Sequence, residues 1–137
     1  MRVYFDSSAF AKRYIAETGT PDVLAWCERA SELALSVVAV PELISAFCRL
    51  QCEGRLTGPQ YQEIKRALMS DIADALLCDT TPQVIHHAVN ALEKHTLRGM
   101  DAIHLGAALA CTAEVFISAD ARQCRAADAF GLQVVSL

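Results

Sequence analysis

The chain has 137 residues, 53% of them apolar and 20% charged, with a formal net charge of −4. That length suits one domain spanning residues 1–137 and burying about two-thirds of its unfolded surface. The apolar content, with only 6 Gly and 4 Pro, excludes a disordered chain. The longest apolar stretches, around 33–43 and 103–111, fall short of the ~20 residues that a membrane span needs. Met1–Phe5 leads straight into Asp6 with no signal-peptide core, so a cytoplasmic protein without membrane association is expected.

In chain order, Val3–Phe5 reads as a short strand ending at an acid, followed by a helix over Ser7–Ala16. Thr20-Pro21-Asp22 opens a helix, with proline in its first turn, that continues over Val23–Ala30. Leu33–Ser36 is a second strand. Val40-Pro41-Glu42 then starts a helix that Gly54 stops. Thr57-Gly58-Pro59 begins another, with Tyr61, Ile64, Leu68, Ile72 and Leu76 as its buried stripe. Leu76–Asp79 is a third strand, and Thr81-Pro82 starts a helix to about His95. Arg98–Met100 reads as a loop before a helix from Asp101 to Thr112, apolar nearly all round and therefore central. Val115–Ser118 is a strand, Ala121–Phe130 a helix ended by Gly131, and Gln133–Val135 a closing strand. Short apolar strands alternating with helices predict an α/β domain: a parallel sheet of four or five strands with helices on both faces.

Six cysteines stand at 27, 48, 52, 78, 111 and 124, with no C-x-x-C pair among them. Cys48 and Cys52 are spaced i, i+4 on a helix without a second ligand pair nearby, so reduced and mostly buried thiols are expected instead of a zinc site.

Ligands of an open parallel sheet bind beyond the carboxyl ends of its strands. Four acids fall there: Asp6 after the first strand, Glu42 after the second, Asp101 at the start of the apolar helix, and Asp120 after Val115–Ser118. Each by itself is an ordinary helix-start residue. Four carboxylates on one edge repel unless a hard cation lies between them, and Mg²⁺ takes one or two carboxylates together with waters and phosphates. The 16 acids exceed the 12 Lys and Arg by four, so these four alone account for the net charge.

The blocks V-Y-F-D-S-S-A-F at 3–10, V-P-E-L at 40–43, L-R-G-M-D-A-I-H-L at 97–105 and F-I-S-A-D at 116–120 resemble the acidic blocks of PIN-domain nucleases. More narrowly, they resemble the VapC-type toxins of toxin–antitoxin pairs. The resemblance covers nearly the whole chain, in order. It implies a Mg²⁺- or Mn²⁺-dependent endoribonuclease with a PIN-like three-layer α/β/α fold, which leaves a 5′-phosphate and a 3′-hydroxyl. Carried over by position, Asp6, Glu42, Asp101 and Asp120 would be the metal-site carboxylates, with Asp6 and Asp101 as direct ligands. Ser8 and Ser118 would support them. The partners it implies are RNA, a VapB-like antitoxin whose tail lies across the cleft, and a second copy in a homodimer. Two departures from the family pattern fall in the last block. Ser118 stands where Thr is common, and Gln123 stands where a large apolar residue is common.

An acidic nuclease must grip phosphates locally. Lys12 and Arg13 follow Asp6, Arg49 shares a helix face with Glu42 at i+7, and Arg98 precedes Asp101 by three residues; these are the phosphate-contact candidates. His104 lies one turn after Asp101 on the same face, where it would line the cleft, but the favoured reading on so apolar a helix is a hydrogen-bonded core residue. His86, His87 and His95 lack ligand spacing and read as surface residues, as does Asp128. Tyr14, Trp26 and Phe47 read as core, with no basic–aromatic interleaving. The competing functions are an inactive PIN domain that only binds, and a PIN nuclease of RNA processing. A phosphotransfer enzyme is disfavoured because D-S-S stands where D-x-D would be needed, and nucleotide binding because no Walker or G-x-G-x-x-G loop is present.

Overall fold

The computed structural model describes Met1–Leu137. Five parallel strands, β1 (Arg2–Phe5), β2 (Glu32–Ser36), β3 (Leu76–Cys78), β4 (Val115–Ser118) and β5 (Gln133–Ser136), form one sheet in the order β3-β2-β1-β4-β5. The helices are α1 (Ser7–Phe10), α2 (Thr20–Arg29), α3 (Ala39–Cys52), α4 (Gly58–Asp74), α5 (Pro82–Lys94), α6 (Gly99–Ala110) and α7 (Ala121–Ala129). This is the three-layer α/β/α architecture expected from the alternating pattern.

Strand periodicity divides the core in two. Val3, Phe5, Leu35, Val115 and Ile117 point to one face and pack with Phe10, Val23, Leu43, Phe47 and Leu68 from α1 to α4. Tyr4, Ala34, Cys78 and Phe116 point to the other and pack with Val84, Ala91, Leu105 and Ala127 from α5 to α7. The chain walks from β1 to β3 with its crossovers on the first face. It then returns past β1 to β4 and β5 over the second face, as right-handed crossovers require once the direction of travel reverses. The reversal lies between β1 and β4, so the crevice of the sheet opens at their carboxyl ends.

Several boundaries differ from the sequence reading. The helix predicted over Ser7–Ala16 is only α1, tightened into a 3₁₀ turn at Ala11–Arg13. At the end of that turn Arg13 and Tyr14 are both bonded to Asp71 on α4, and the Tyr14 ring packs between Phe10 and Phe47. Arg98–Met100 is not a loop: α6 starts at Gly99, and the Asp101 carboxylate accepts the Arg98 N–H at 3.4 Å across its first turn. The buried stripe of α4 stops at Ile72, because the helix ends at Asp74 and Leu76 enters β3. Thr57 and Gln60 form a reciprocal capping box at its start. Gly131, with φ +88°, ends α7 as expected. All six cysteines are free, but only Cys78 and Cys124 are buried. Cys48 and Cys52 are exposed, because α3 turns that edge of its last two turns outward. No helix is long and apolar enough to cross a membrane.

The contact between α1–α2 and α4 is electrostatic at its rim. Arg13 Nε donates to Asp71 Oδ2 at 2.8 Å, and the Tyr14 hydroxyl donates to the same oxygen at 2.6 Å. Burial by itself would raise the Asp71 carboxyl; the Arg13 and Tyr14 hydrogen bonds outweigh it and hold it below the ordinary range. A depressed folded-state value stabilises above the unfolded pKa of about 3.9 and is lost as pH falls through and below it. Asp71→Asn should therefore cost about 1–2 kcal/mol at pH 7. The difference from the parent should shrink below about pH 4, as urea unfolding across pH would measure.

Candidate active site

The crevice between β1 and β4 collects polar residues because both strands end in acids that cap the next helix. Asp6 caps α1 and accepts the Ala9 N–H through Oδ1 at 2.9 Å. Asp120 caps α7 and accepts the N–H groups of Arg122 and Gln123, both through Oδ1. Capping engages Oδ1 of each carboxylate, so a helix-capping role does not by itself exclude a further one.

Two serines tie the strand ends to each other. The Ser118 hydroxyl donates to Asp6 Oδ2 at 2.6 Å and accepts the Asp120 N–H at 2.9 Å. Ser8 Oγ lies 2.8 and 3.0 Å from the two oxygens of Asp6 and accepts the Ala119 N–H at 3.2 Å. Asp6 is only 3% exposed, and its burial pushes the carboxyl upward against the lowering by Ser118, Ala9 and Ser8. A carboxylate has about four acceptor positions, and these three donors leave one for an outside group.

Asp101 and Asp120 face each other across a polar cavity of about 350 Å³ that Leu97, Arg98 and Arg122 complete. Burial raises the Asp101 carboxyl and the charge of Asp120 adds to this, against the lowering by the Arg98 N–H. Asp101 Oδ1 and Asp120 Oδ2 have no protein partner. Glu42 sits apart from this pair in a different set of bonds. Its Oε1 takes Ser7 Oγ at 2.8 Å and lies 2.6 Å from His104 Nε2. The His104 bond, opposed by burial and aided by Ser7, holds the Glu42 carboxyl low.

The four acids therefore share one end of the sheet but do not form a finished cage, because no three ligating groups converge on one point. The donor set is nevertheless all hard oxygen, with one open position on Asp6 and free oxygens on Asp101 and Asp120. That set fits Mg²⁺ or Mn²⁺, which complete their shells with water and phosphate, and would not fit a soft metal.

Of the phosphate candidates, only Arg98 lines the cavity of Asp101 and Asp120. Lys12 pairs with Glu17 and Arg13 with Asp71, while Arg49 is exposed beside a different hollow, with Glu17 and Glu53. Three contributors escaped the sequence reading. Arg122 follows the cap of α7 and enters the cavity opposite Arg98; the cue was its place two residues after Asp120. Ser7 holds Glu42, a partnership between residues 35 positions apart that no local pattern announces. Gln123, fully buried, donates from Nε2 to the Asp101 carbonyl at 3.0 Å and places Oε1 3.2 Å from Ser118 Oγ. Its departure from the family pattern was the signal: a buried amide must find partners, and the bond from Nε2 ties α7 to the first turn of α6. His104 is 3% exposed and hydrogen-bonded in the core, the favoured of its two readings, and it reaches Glu42 from there. Asp128 and His86 are exposed, while His87 and His95 are half-buried, with the His95 ring against Phe130. Phe47 is buried; Tyr14 and Trp26 are half-buried, the latter under the Arg29 guanidinium.

The profile of the PIN domain matches residues 3–129. The chain is 33% identical over 108 residues to "Ribonuclease VapC45" of Mycobacterium tuberculosis, covering 79% of this chain and 75% of that protein. In fold it is similar to a toxin–antitoxin complex from Klebsiella pneumoniae, with a TM-score of 0.70, 16% identity, and 98% and 96% of the two chains covered. It is similar also to VapC20 of M. tuberculosis, described as a sarcin–ricin loop cleaving toxin, with a TM-score of 0.69, 14% identity, and 98% and 99% covered. Strand order, acidic blocks and sequence identity agree, and the chain belongs to the PIN-domain family, among its VapC-type members.

Proposed function

We propose that this protein is an endoribonuclease dependent on Mg²⁺ or Mn²⁺, acting as the toxin of a toxin–antitoxin pair. The observation that carries the reading is the polar cavity of Asp101 and Asp120, each with an unpartnered carboxylate oxygen, beside the nearly buried Asp6 and between Arg98 and Arg122. Asp6, Asp101 and Asp120 would hold the cation, with Glu42 as the fourth acid of the site. Such a cation, when bound, supplies activation of water and neutralisation of charge on the phosphodiester.

The protein's own residues do the rest. Ser118 and Ser8 keep the Asp6 carboxylate in one orientation, with one acceptor position left for a cation. Gln123 keeps the first turn of α6, and with it Asp101, at a set height over β4. Arg98 and Arg122 have no ion-pair partner and flank the acids, where RNA phosphates would have to lie; this local grip suits a chain whose net charge is negative.

Kinship with VapC45 and the fold shared with a toxin–antitoxin complex support an antitoxin as partner. A hollow of about 510 Å³ lined by Tyr14, Ile15, Leu56 and Ile64 would take an apolar segment of it. The exposed stripe of Ile85, Val89 and Leu92 on α5 supports a homodimer through a second copy of that face.

The direct test incubates antitoxin-free protein with total RNA and Mg²⁺ or Mn²⁺, beside EDTA and Asp6→Ala controls. Discrete fragments that disappear in both controls are expected. Intact RNA with either cation, from protein shown to be folded and free of partner, would overturn the activity and favour a PIN domain that only binds.

A further inference from the structure

Outside the cavity of Asp101 and Asp120, the molecule carries a polar chain of which the proposed chemistry uses only the last member, Glu42. Tyr4, in the middle of β1, is fully buried, with its ring stacked on Phe116 of β4 at 5.6 Å and 4°. Its hydroxyl lies 2.8 Å from His104 Nδ1. On the far side of the same imidazole, Nε2 lies 2.6 Å from Glu42 Oε1 and 3.2 Å from Ser7 Oγ. The chain therefore runs from the centre of the sheet, through α6, to a site carboxylate on α3.

The hydrogens along it can be assigned by accounting. The one side-chain partner of the buried Tyr4 hydroxyl is His104 Nδ1; the Ser36 backbone beside it acts as a donor to its oxygen and so takes no hydrogen from it. If Nδ1 carried a hydrogen, it would donate to the hydroxyl oxygen and the phenolic hydrogen would have no acceptor. The hydroxyl therefore donates to a bare Nδ1, and the ring hydrogen sits on Nε2, aimed at Glu42. Only this tautomer makes His104 a donor to the carboxylate while leaving nothing in the core unsatisfied.

We infer that the Tyr4–His104 pair is a positioning device for Glu42: Tyr4 sets the tautomer and plane of the imidazole, and the imidazole fixes the carboxylate on the cleft side of α3. This rests on Glu42 belonging to the ribonuclease site. The arrangement follows the general logic by which a partner behind an imidazole orients a group in front of it. Ser7, the other holder of Glu42, has a freely rotating hydroxyl on the short helix α1, so it cannot replace a rigid ring locked by packing. Phenylalanine would give the same stacking on Phe116, so what Tyr4 adds is the hydroxyl that meets His104 Nδ1.

Tyr4→Phe tests this without opening a cavity. It should slow RNA cleavage about 10-fold, with KM for RNA nearly unchanged and melting within a few degrees of the parent. His104→Leu should lose about 10–100-fold, and His104→Gln, which keeps an N–H near the Nε2 position, should recover part of that loss. Independently of activity, ¹⁵N spectra of the histidine side chains in the metal-free protein should show His104 with its hydrogen on Nε2 alone. In Tyr4→Phe that single pattern should give way to a mixture. Cleavage by Tyr4→Phe at the parent rate would overturn the inference, as would equal loss in His104→Gln and His104→Leu or an Nδ1–H tautomer in the parent. If the parent itself cleaves no RNA with either cation, the ribonuclease reading fails, while the ¹⁵N pattern still decides whether Tyr4 sets the imidazole.

Discussion

Asp101→Asn is expected to reduce RNA cleavage by about 10²–10³-fold, the scale of losing one preorganised electrostatic group at a reacting centre, while the protein melts at the parent temperature or slightly above. The two halves of this expectation have one cause. In the folded chain burial, with the charge of Asp120 added, pushes the Asp101 carboxyl upward despite the Arg98 N–H, so holding it ionised at neutral pH costs stability. An asparagine is isosteric, keeps an oxygen for the Arg98 N–H at the start of α6, and removes the repulsion across the cavity. It also removes one of the three carboxylate charges that would hold a cation. Isothermal titration with Mn²⁺, melting curves and a cleavage assay on one preparation separate these effects. Loss of activity together with a melting temperature lowered by more than a few degrees would mean that Asp101 is chiefly a structural first-turn residue.

The second large effect is expected far from the cleft. Gly106→Ala should destabilise the protein by about 2 kcal/mol: an overpacking cost of about 3 kcal/mol or less, offset by up to about 1 kcal/mol of helix propensity that alanine gains over glycine. An added Cβ at Gly106 would lie 2.5 Å from the Val84 carbonyl oxygen and 3.3 Å from the Ala88 amide nitrogen. Both are backbone atoms of α5, so no side chain can rotate out of the way. The alternative is for α5 to move off α6, which would loosen the packing of Val84, Ala88 and Ala91. For a domain of this size, that cost lowers the melting temperature by several degrees, roughly 5–10 °C. Activity at low temperature should survive in proportion to the folded fraction, because His104 and Asp101 lie on the same helix and would move as one body. A melting temperature unchanged by the substitution would show that the two helices are not in close backbone contact.

These two residues mark how legibility divided. Asp101, like Asp6 and Asp120, announced itself because a carboxylate just after an apolar strand, or in the first turn of an apolar helix, is a local pattern with a local physical reason. The strand and helix types were equally legible, since short apolar runs between amphipathic segments have few other ways to bury their surface. Gly106 was silent: nothing in L-G-A-A-L-A distinguishes a glycine needed for helix contact from a neutral one. The 3₁₀ turn at Ala11–Arg13 was silent too, because its cause is Asp71, 58 positions from Arg13 in the chain.

By itself, the sequence determined the α/β class, the positions of the acids at strand and helix ends, and the membership that their order implies, because capping and hydrophobic periodicity act over a few residues. Tertiary structure alone decided which polar groups meet. It paired Asp101 with Asp120 and joined Asp6 to Asp120 through Ser118. It set Glu42 apart on His104 and Ser7, and chose Arg98 and Arg122 over Lys12, Arg13 and Arg49 to flank the cavity. Each of those choices follows from the sheet order and from how α3, α6 and α7 lie across it. Hydrogen bonds between residues dozens of positions apart depend on that placement in space, which no spacing along the chain encodes.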